Sequence, residues 1–149
     1  LSARGLGEPV IAAAWLLVAI GSDLAQRGGW SGVPVAAGAP MAMLVAALLL
    51  ANGFPDRAAD AAAGKRTLDL LLVAAAHLAL IAAVIAGALP RAALAGLAAA
   101  TVSLFAARQL ALNAGCTPTS RLLPAIRATI VAAHVYGLSL AAALLLARG

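Results

Sequence analysis

Five long apolar segments, separated by short polar stretches, set the pattern of this chain. Each is close to the roughly 20 residues that an α-helix needs to cross the hydrocarbon core of a bilayer. The segments run over residues 9–26, 34–52, 67–89, 91–112 and 123–147. They are too long for barrel strands and rich in Ala and Leu, which favour helix. The pattern therefore predicts an all-α, polytopic bundle of five transmembrane helices.

Proline positions support these boundaries. Pro34, Pro90 and Pro124 each stand at the predicted start of a helix, where a missing backbone N–H costs least. Two connections are longer than the others, residues 53–66 and 113–122. Any loop chemistry is therefore expected in one of these two connections.

Composition agrees with a membrane protein. Of the 149 residues, 64% are hydrophobic and 10% charged, and the mean hydropathy is +1.05. A soluble domain of this size has too little interior to hide so much apolar surface. The net charge of +5 does not indicate a nucleic-acid partner, because aromatic residues make up only 3% and no basic stripe exists. The single cysteine, Cys116, excludes an internal disulfide.

Basic residues predict the orientation. With the N-terminus inside, seven Lys and Arg residues fall on the inner side and three on the outer side of the ten in the chain. Positive charge concentrates in cytoplasmic loops, so both longer connections are expected in the cytoplasm. The inner set is Arg4, Arg57, Lys65, Arg66, Arg108, Arg121 and Arg127, and the outer set is Arg27, Arg91 and Arg148.

The first long connection carries the candidate chemistry, in the stretch NGFPDRAADAAAGKRTL over residues 52–68. Pro55 is suited to open a short helix and Gly64 to end it. Asp56 and Asp60 would then project from one face, four residues apart. A divalent cation such as Mg²⁺ would offset two neighbouring carboxylates, and Lys65 and Arg66 would neutralise a bound diphosphate.

Taken alone, this pattern also fits a solvated cytoplasmic loop whose charges only set topology. The wider context favours a site. The stretch closely resembles the second aspartate motif of the UbiA superfamily of intramembrane prenyltransferases, most of all the 1,4-dihydroxy-2-naphthoate polyprenyltransferases of menaquinone synthesis. The matching residues are Asn52, Phe54, Pro55, Asp56, Asp60, Gly64, Lys65, Arg66, Thr67 and Leu68. Weaker similarity covers residues 3–8 and the group Arg127, Ala128, Thr129, His134 and Gly137.

The resemblance implies a nine-helix fold in a bacterial inner membrane, of which these five helices would be the fifth to the ninth. It implies that Asp56 and Asp60 are catalytic ligands of Mg²⁺. Asn52, Lys65, Arg66 and, near the last helix, Arg127 would contact the diphosphate of a polyprenyl diphosphate, whose chain is transferred to an aromatic acceptor.

The chain departs from the family in lacking its first aspartate motif. Outside the motif stretch the only acids are Glu8, Asp23 and Asp69, in no such pattern. The chain also begins at Leu1 without a signal peptide, so we expect the missing N-terminal half to belong to the same protein. Transfer to another acceptor (4-hydroxybenzoate, homogentisate, a chlorophyllide or haem) and a non-catalytic scaffold or carrier subunit are the alternatives.

The remaining polar residues have plainer interpretations. Glu8 begins a helix, where the dipole favours a carboxylate, or lies near the acceptor. Arg127 and His134 share a helix face that either lines a polar cavity or faces the interface and a neighbouring helix. The other four are expected to be interfacial or packed. Asp23, Asp69 and Arg108 lie near helix ends, and His77 is expected to be a packing histidine.

Overall fold

A computed structural model describes residues 7–53, 59–113 and 119–147, without the side chains of residues 59–66 and 119. It contains the helices α1 (Gly7–Arg27), α2 (Val33–Asn52), α3 (Ala59–Ile85), α4 (Ala99–Asn113) and α5 (Leu123–Leu146). The 3-10 helices Arg91–Ala98 and Thr119–Leu122 lead into α4 and α5. No strand occurs in the described ranges, which confirms the predicted all-α class.

Within the described residues, five helical segments are long and apolar enough to cross a membrane, as predicted. They are Gly7–Arg27, Val33–Asn52, Thr67–Ile85, Arg91–Asn113 and Ser120–Leu146. The largest difference is at the end of the third segment, which the sequence placed near residue 89. Gly87, with φ of 74°, ends α3 earlier, and the Ala88 N–H reaches back to the Ala83 carbonyl at 2.9 Å. This is a glycine-capped terminus that satisfies the last carbonyl groups of the helix.

The start of α3 differs from the prediction that a short helix ends at Gly64. Gly64 was expected to end a short helix, but α3 runs without interruption from Ala59 through Gly64 to Ile85. A glycine inside a helix costs about 1 kcal/mol relative to alanine. Helix propagation through the alanines before it and the apolar span after it outweighs that cost, because each added residue gains a backbone hydrogen bond.

Helix α2 lies at the centre of the packing and contacts α1, α3 and α5, while α4 packs against α3 and α5. One buried cluster joins the last residues of α2 and α4 to the first residues of α5, through Leu50, Ala51, Leu110, Leu122 and Ala125. We call this the motif end of the bundle, because the motif stretch, residues 52–68, begins at the last residue of α2 and continues into the first turns of α3. Buried residues are largely alanines, which let transmembrane helices approach closely.

The 3-10 helix Arg91–Ala98 packs tightly through Gly96. A Cβ atom there would lie 3.0 Å from Leu80 Cδ2 and 3.1 Å from Tyr136 Cε2. Both side chains are almost completely buried, so neither has room to move aside.

We expect Gly96→Ala to lower the stability of the bundle by about 1–3 kcal/mol, because it overpacks a filled core. The control is Gly21→Ala, since a Cβ at Gly21 has no neighbour within 4 Å. Thermal unfolding of both variants in lipid nanodiscs, followed by circular dichroism, measures the difference. Equal midpoints for the two variants would contradict the packing described here.

Candidate functional site

The motif stretch joins α2 to α3 at the motif end. Asn52 is the last residue of α2 and is exposed, and the Gly53 N–H closes the helix on the Leu50 carbonyl at 3.1 Å. Asp56 lies outside the described residues, as do Phe54, Pro55 and Arg57. The described backbone resumes at Ala59, so the candidate metal-binding segment is framed by two helix ends at one side of the bundle.

The rest of the motif lies on the first turns of α3. Asp60 is its second residue, and Lys65 and Arg66 follow within about 9 Å along the helix axis. The side chains of these three residues lie outside the described part, so their metal and diphosphate contacts stay predictions. A carboxylate in the first turn of a helix is stabilised by the helix dipole even without a metal.

Arg127 lies near the start of α5 and is exposed. The buried residues of α5 include Ala125, Ala128, Thr129 and Ala132, and Arg127 projects from the opposite side of the helix. It therefore points away from the five-helix core. Its predicted diphosphate contact would have to form on that outer side.

Asp69 is the clearest correction. Its place near a helix end predicts an interfacial side chain, but the side chain is 1% exposed. Neither carboxylate oxygen has a hydrogen-bond partner among the side chains that the structure describes, which do not include those of Lys65 and Arg66. Asp69 precedes Val73, Ala76 and Leu80 by four, seven and eleven residues, and all three are buried core residues. This helical spacing was present in the sequence and was the signal that could have identified Asp69 as a core position.

Glu8 is the second buried acid at the motif end. It lies in the first turn of α1, as expected, and is 8% exposed, and no described residue pairs with its Oε2. The adjacent Gly7 approaches Leu49, near the end of α2, with 3.8 Å between Leu49 Cδ2 and the Cβ position of Gly7. Two buried acids whose carboxylate oxygens lack partners within the described residues therefore lie at the motif end.

A small cavity of about 10 Å³ lies one helical turn deeper than Asp69. Ser103 and Thr129 line it, and both hydroxyl groups are buried. Each donates to its own helix, Ser103 to the Ala99 carbonyl at 2.8 Å and Thr129 to the Ile126 carbonyl at 2.7 Å. The remaining hydroxyl lone pairs can accept hydrogen bonds, and the volume is near the minimum for one water molecule.

Polar groups at the other end of α1 are paired with each other. Asp23 accepts from Arg27 Nε at 2.7 Å and from the Ser31 hydroxyl at 2.8 Å. This partly exposed network fits the interfacial position predicted for Asp23. On α3, His77 donates from Nδ1 to the Val73 carbonyl at 2.8 Å, as suits a histidine packed against its own helix.

Within the described ranges, no group of three or more His, Cys, Asp or Glu side chains is placed to hold a metal ion. That finding does not include Asp56 or the side chain of Asp60, which lie outside the described part of the chain. Comparison of the chain with protein-family models, curated proteins and solved structures finds no match. The resemblance to the UbiA superfamily therefore stays a prediction that depends on the motif residues alone.

We expect Asp69→Asn to raise the stability of the bundle by about 1 kcal/mol, because no described side chain pairs with the buried carboxylate and a buried carboxylate without a partner costs about that much. Asn has nearly the same shape, so packing is preserved. Thermal unfolding in nanodiscs without ligand measures the change.

The matched control is Asp23→Asn, which removes a carboxylate that is paired with Arg27 and Ser31. That variant should be unchanged or less stable by up to about 1 kcal/mol, as for other exposed ion pairs. A loss of stability in Asp69→Asn would instead show that the Asp69 carboxylate has a stabilising partner.

Proposed function

We propose that this protein takes part in the Mg²⁺-dependent transfer of an isoprenyl chain from a polyprenyl diphosphate to an aromatic acceptor. The acceptor we favour is 1,4-dihydroxy-2-naphthoate, as in menaquinone synthesis. The main support for the proposal is the motif over residues 52–68. It contains two carboxylates, an amide and two adjacent basic residues within one stretch between two predicted helices. Its position between the end of α2 and the start of α3 supports the proposal, since reactive groups then sit at the mouth of an apolar bundle.

The donor set of the motif fits a hard divalent cation. Asp56 and Asp60 would hold Mg²⁺, which prefers carboxylate oxygen and keeps open positions for phosphate. When bound, Mg²⁺ would neutralise charge on the leaving diphosphate. Lys65 and Arg66, with Asn52, would bind the same diphosphate and orient it toward the bundle. With the orientation predicted from charge, this mouth would face the cytoplasm of a bacterial cell.

The two motif carboxylates are half of the set that the resemblance implies. The three other acids are unsuited to replace the missing half: Glu8 and Asp69 are buried, and Asp23 is paired at the other end of α1. The complementary carboxylates would then come from a polypeptide segment outside these five helices. If none exists, the chain is a non-catalytic relative that acts as a scaffold or carrier subunit.

An apolar groove between α1, α2 and α5 suits the isoprenyl chain. Its volume is about 250 Å³. Its lining from α2 is in the first half of that helix, away from the motif end, so the groove would hold the tail of the chain and not its diphosphate. Trp15, Gly38, Met41, Tyr136, Gly137 and Leu140 line it.

Replacement of Asp56 or Asp60 by Ala in the complete protein should lower prenyl transfer by about a hundredfold or more, because each removes a metal ligand. The control is Asp23→Ala, which removes an acid at the other end of α1. Product formation in proteoliposomes, measured by mass spectrometry with competing acceptors, tests the reaction and identifies the acceptor. Near-normal turnover in either motif variant would contradict the proposed role of Asp56 and Asp60 in prenyl transfer.

Gly137→Phe should reduce turnover of long-chain donors more than of short-chain donors, because the ring would fill the apolar groove. The control is Gly137→Ala, whose methyl group has ordinary contact distance to Met41, 3.8 Å. Competition between a short and a long isoprenyl diphosphate measures the shift in preference. An equal effect on both donors would exclude this groove as the binding site for the chain.

A further inference from the structure

A groove between α3 and α4 lies at the motif end of the bundle. Its volume is about 530 Å³. Ala107, which is 5% exposed, forms its floor, and the other lining residues are exposed. The groove is lined by Thr67, Leu70, Leu104, Ala107, Arg108 and Ala111. It therefore opens sideways toward the surroundings of the bundle and not into its core.

The groove changes from polar to apolar along its length. Thr67 lies at its motif end, and Arg108 lies five residues, or about 7.5 Å, before the end of α4. Leu70 and Leu104 follow toward the middle of the bundle, one helical turn from Thr67 and Arg108. This gradient fits an amphiphile whose polar head group lies at the motif end and whose hydrocarbon chain points into the membrane.

Arg108 gives the polar end of the groove a positive charge. Among the side chains that the structure describes, no carboxylate forms an ion pair with it. An arginine within a membrane-spanning segment requires an anionic partner or access to the head-group region. A phosphate group meets that requirement, because a guanidinium group donates two parallel hydrogen bonds to phosphate oxygen atoms.

We propose that this groove binds an anionic membrane phospholipid. Arg108 and the Thr67 hydroxyl group donate to its phosphate, and an acyl chain lies along Leu70 and Leu104. Basic pockets between transmembrane helices on the cytoplasmic side suit the head groups of anionic lipids, and the charge distribution predicts that the motif end is on that side. The inference does not depend on the proposed prenyl transfer, since it follows from the shape and chemistry of the α3–α4 groove.

An isoprenyl diphosphate is the other phosphate-bearing amphiphile to consider, and it fits this groove less well. The residues that line the groove include no carboxylate, so they offer no site for the Mg²⁺ that accompanies a diphosphate. A diphosphate also carries more negative charge than one guanidinium group offsets, whereas a phospholipid phosphodiester carries a single charge. The observations therefore favour the phospholipid.

Lipid titration of the complete protein tests the proposal. Native mass spectrometry in detergent counts bound phosphatidylglycerol, which is anionic, and bound phosphatidylcholine with the same acyl chains, which has no net charge. Arg108→Gln removes the charge of the groove, and its control is Arg91→Gln, an exposed arginine at the opposite end of the same span. Ala111→Phe fills the groove from an exposed position, and its control is Ala141→Phe, an exposed position on α5.

The expected result is saturable binding of phosphatidylglycerol with a several-fold lower Kd than that of phosphatidylcholine. Arg108→Gln should remove this preference, and Ala111→Phe should weaken binding of both lipids several-fold, while the two controls bind as the unmodified protein does. Equal affinity for the two lipids, or equal losses in Arg108→Gln and Arg91→Gln, would overturn the proposal.

A competition experiment separates the two phosphate-bearing amphiphiles. Geranylgeranyl diphosphate with Mg²⁺, added at the same concentration as phosphatidylglycerol, should leave the bound phospholipid in place. Displacement of phosphatidylglycerol that Arg108→Gln abolishes would assign the groove to the isoprenyl diphosphate and overturn the proposal.

Discussion

The absence of water in the hydrocarbon core constrains every part of this structure. A backbone N–H or C=O group left unpaired there costs several kcal/mol, so the spanning segments are helices that bond within themselves. Lipid also supplies no hydrophobic force between helices, and close packing replaces it. The alanine-rich core and the contact of Gly96 with Leu80 and Tyr136 follow from that requirement. Polar side chains are tolerated only at the ends of the spans or against a partner.

The same constraint makes polar side chains without hydrogen-bond partners costly in the spanning segments. Asp69 and Glu8 are buried at the motif end, and His134 is exposed in the middle of a span. Asp23, by contrast, is satisfied by Arg27 and Ser31. Within the described residues, His77 Nε2 and Tyr136 Oη are also buried without a hydrogen-bond partner. Unpaired polar atoms therefore occur along the bundle and not only at the motif end.

Hydropathy, proline positions and helix period were sufficient to predict the five spans, because those features act within a single segment. The end of α3 depends on the left-handed conformation of Gly87, and its start depends on helix propagation through Gly64. In each case a glycine can either end or continue a helix, and composition alone does not decide between the two. Asp69 was misplaced because its charge was weighed above its spacing from Val73 and Ala76. The roles of Asp56, Asp60, Lys65 and Arg66 rest on the motif, since pairing between side chains is a tertiary property.

The central claim is that the motif end binds a divalent cation together with an isoprenyl diphosphate. Mn²⁺ substitutes for Mg²⁺ and broadens the signal of a nearby nitroxide, with an effect that falls steeply with distance. One label would be placed by Leu112→Cys at the motif end and another by Gly29→Cys at the opposite end, both in the complete protein with Cys116→Ser. The account predicts broadening at position 112 alone, and only when Mn²⁺ and an isoprenyl diphosphate are both present. Equal broadening at both positions would contradict it. So would the absence of broadening at position 112 when Mn²⁺ and an isoprenyl diphosphate are both present.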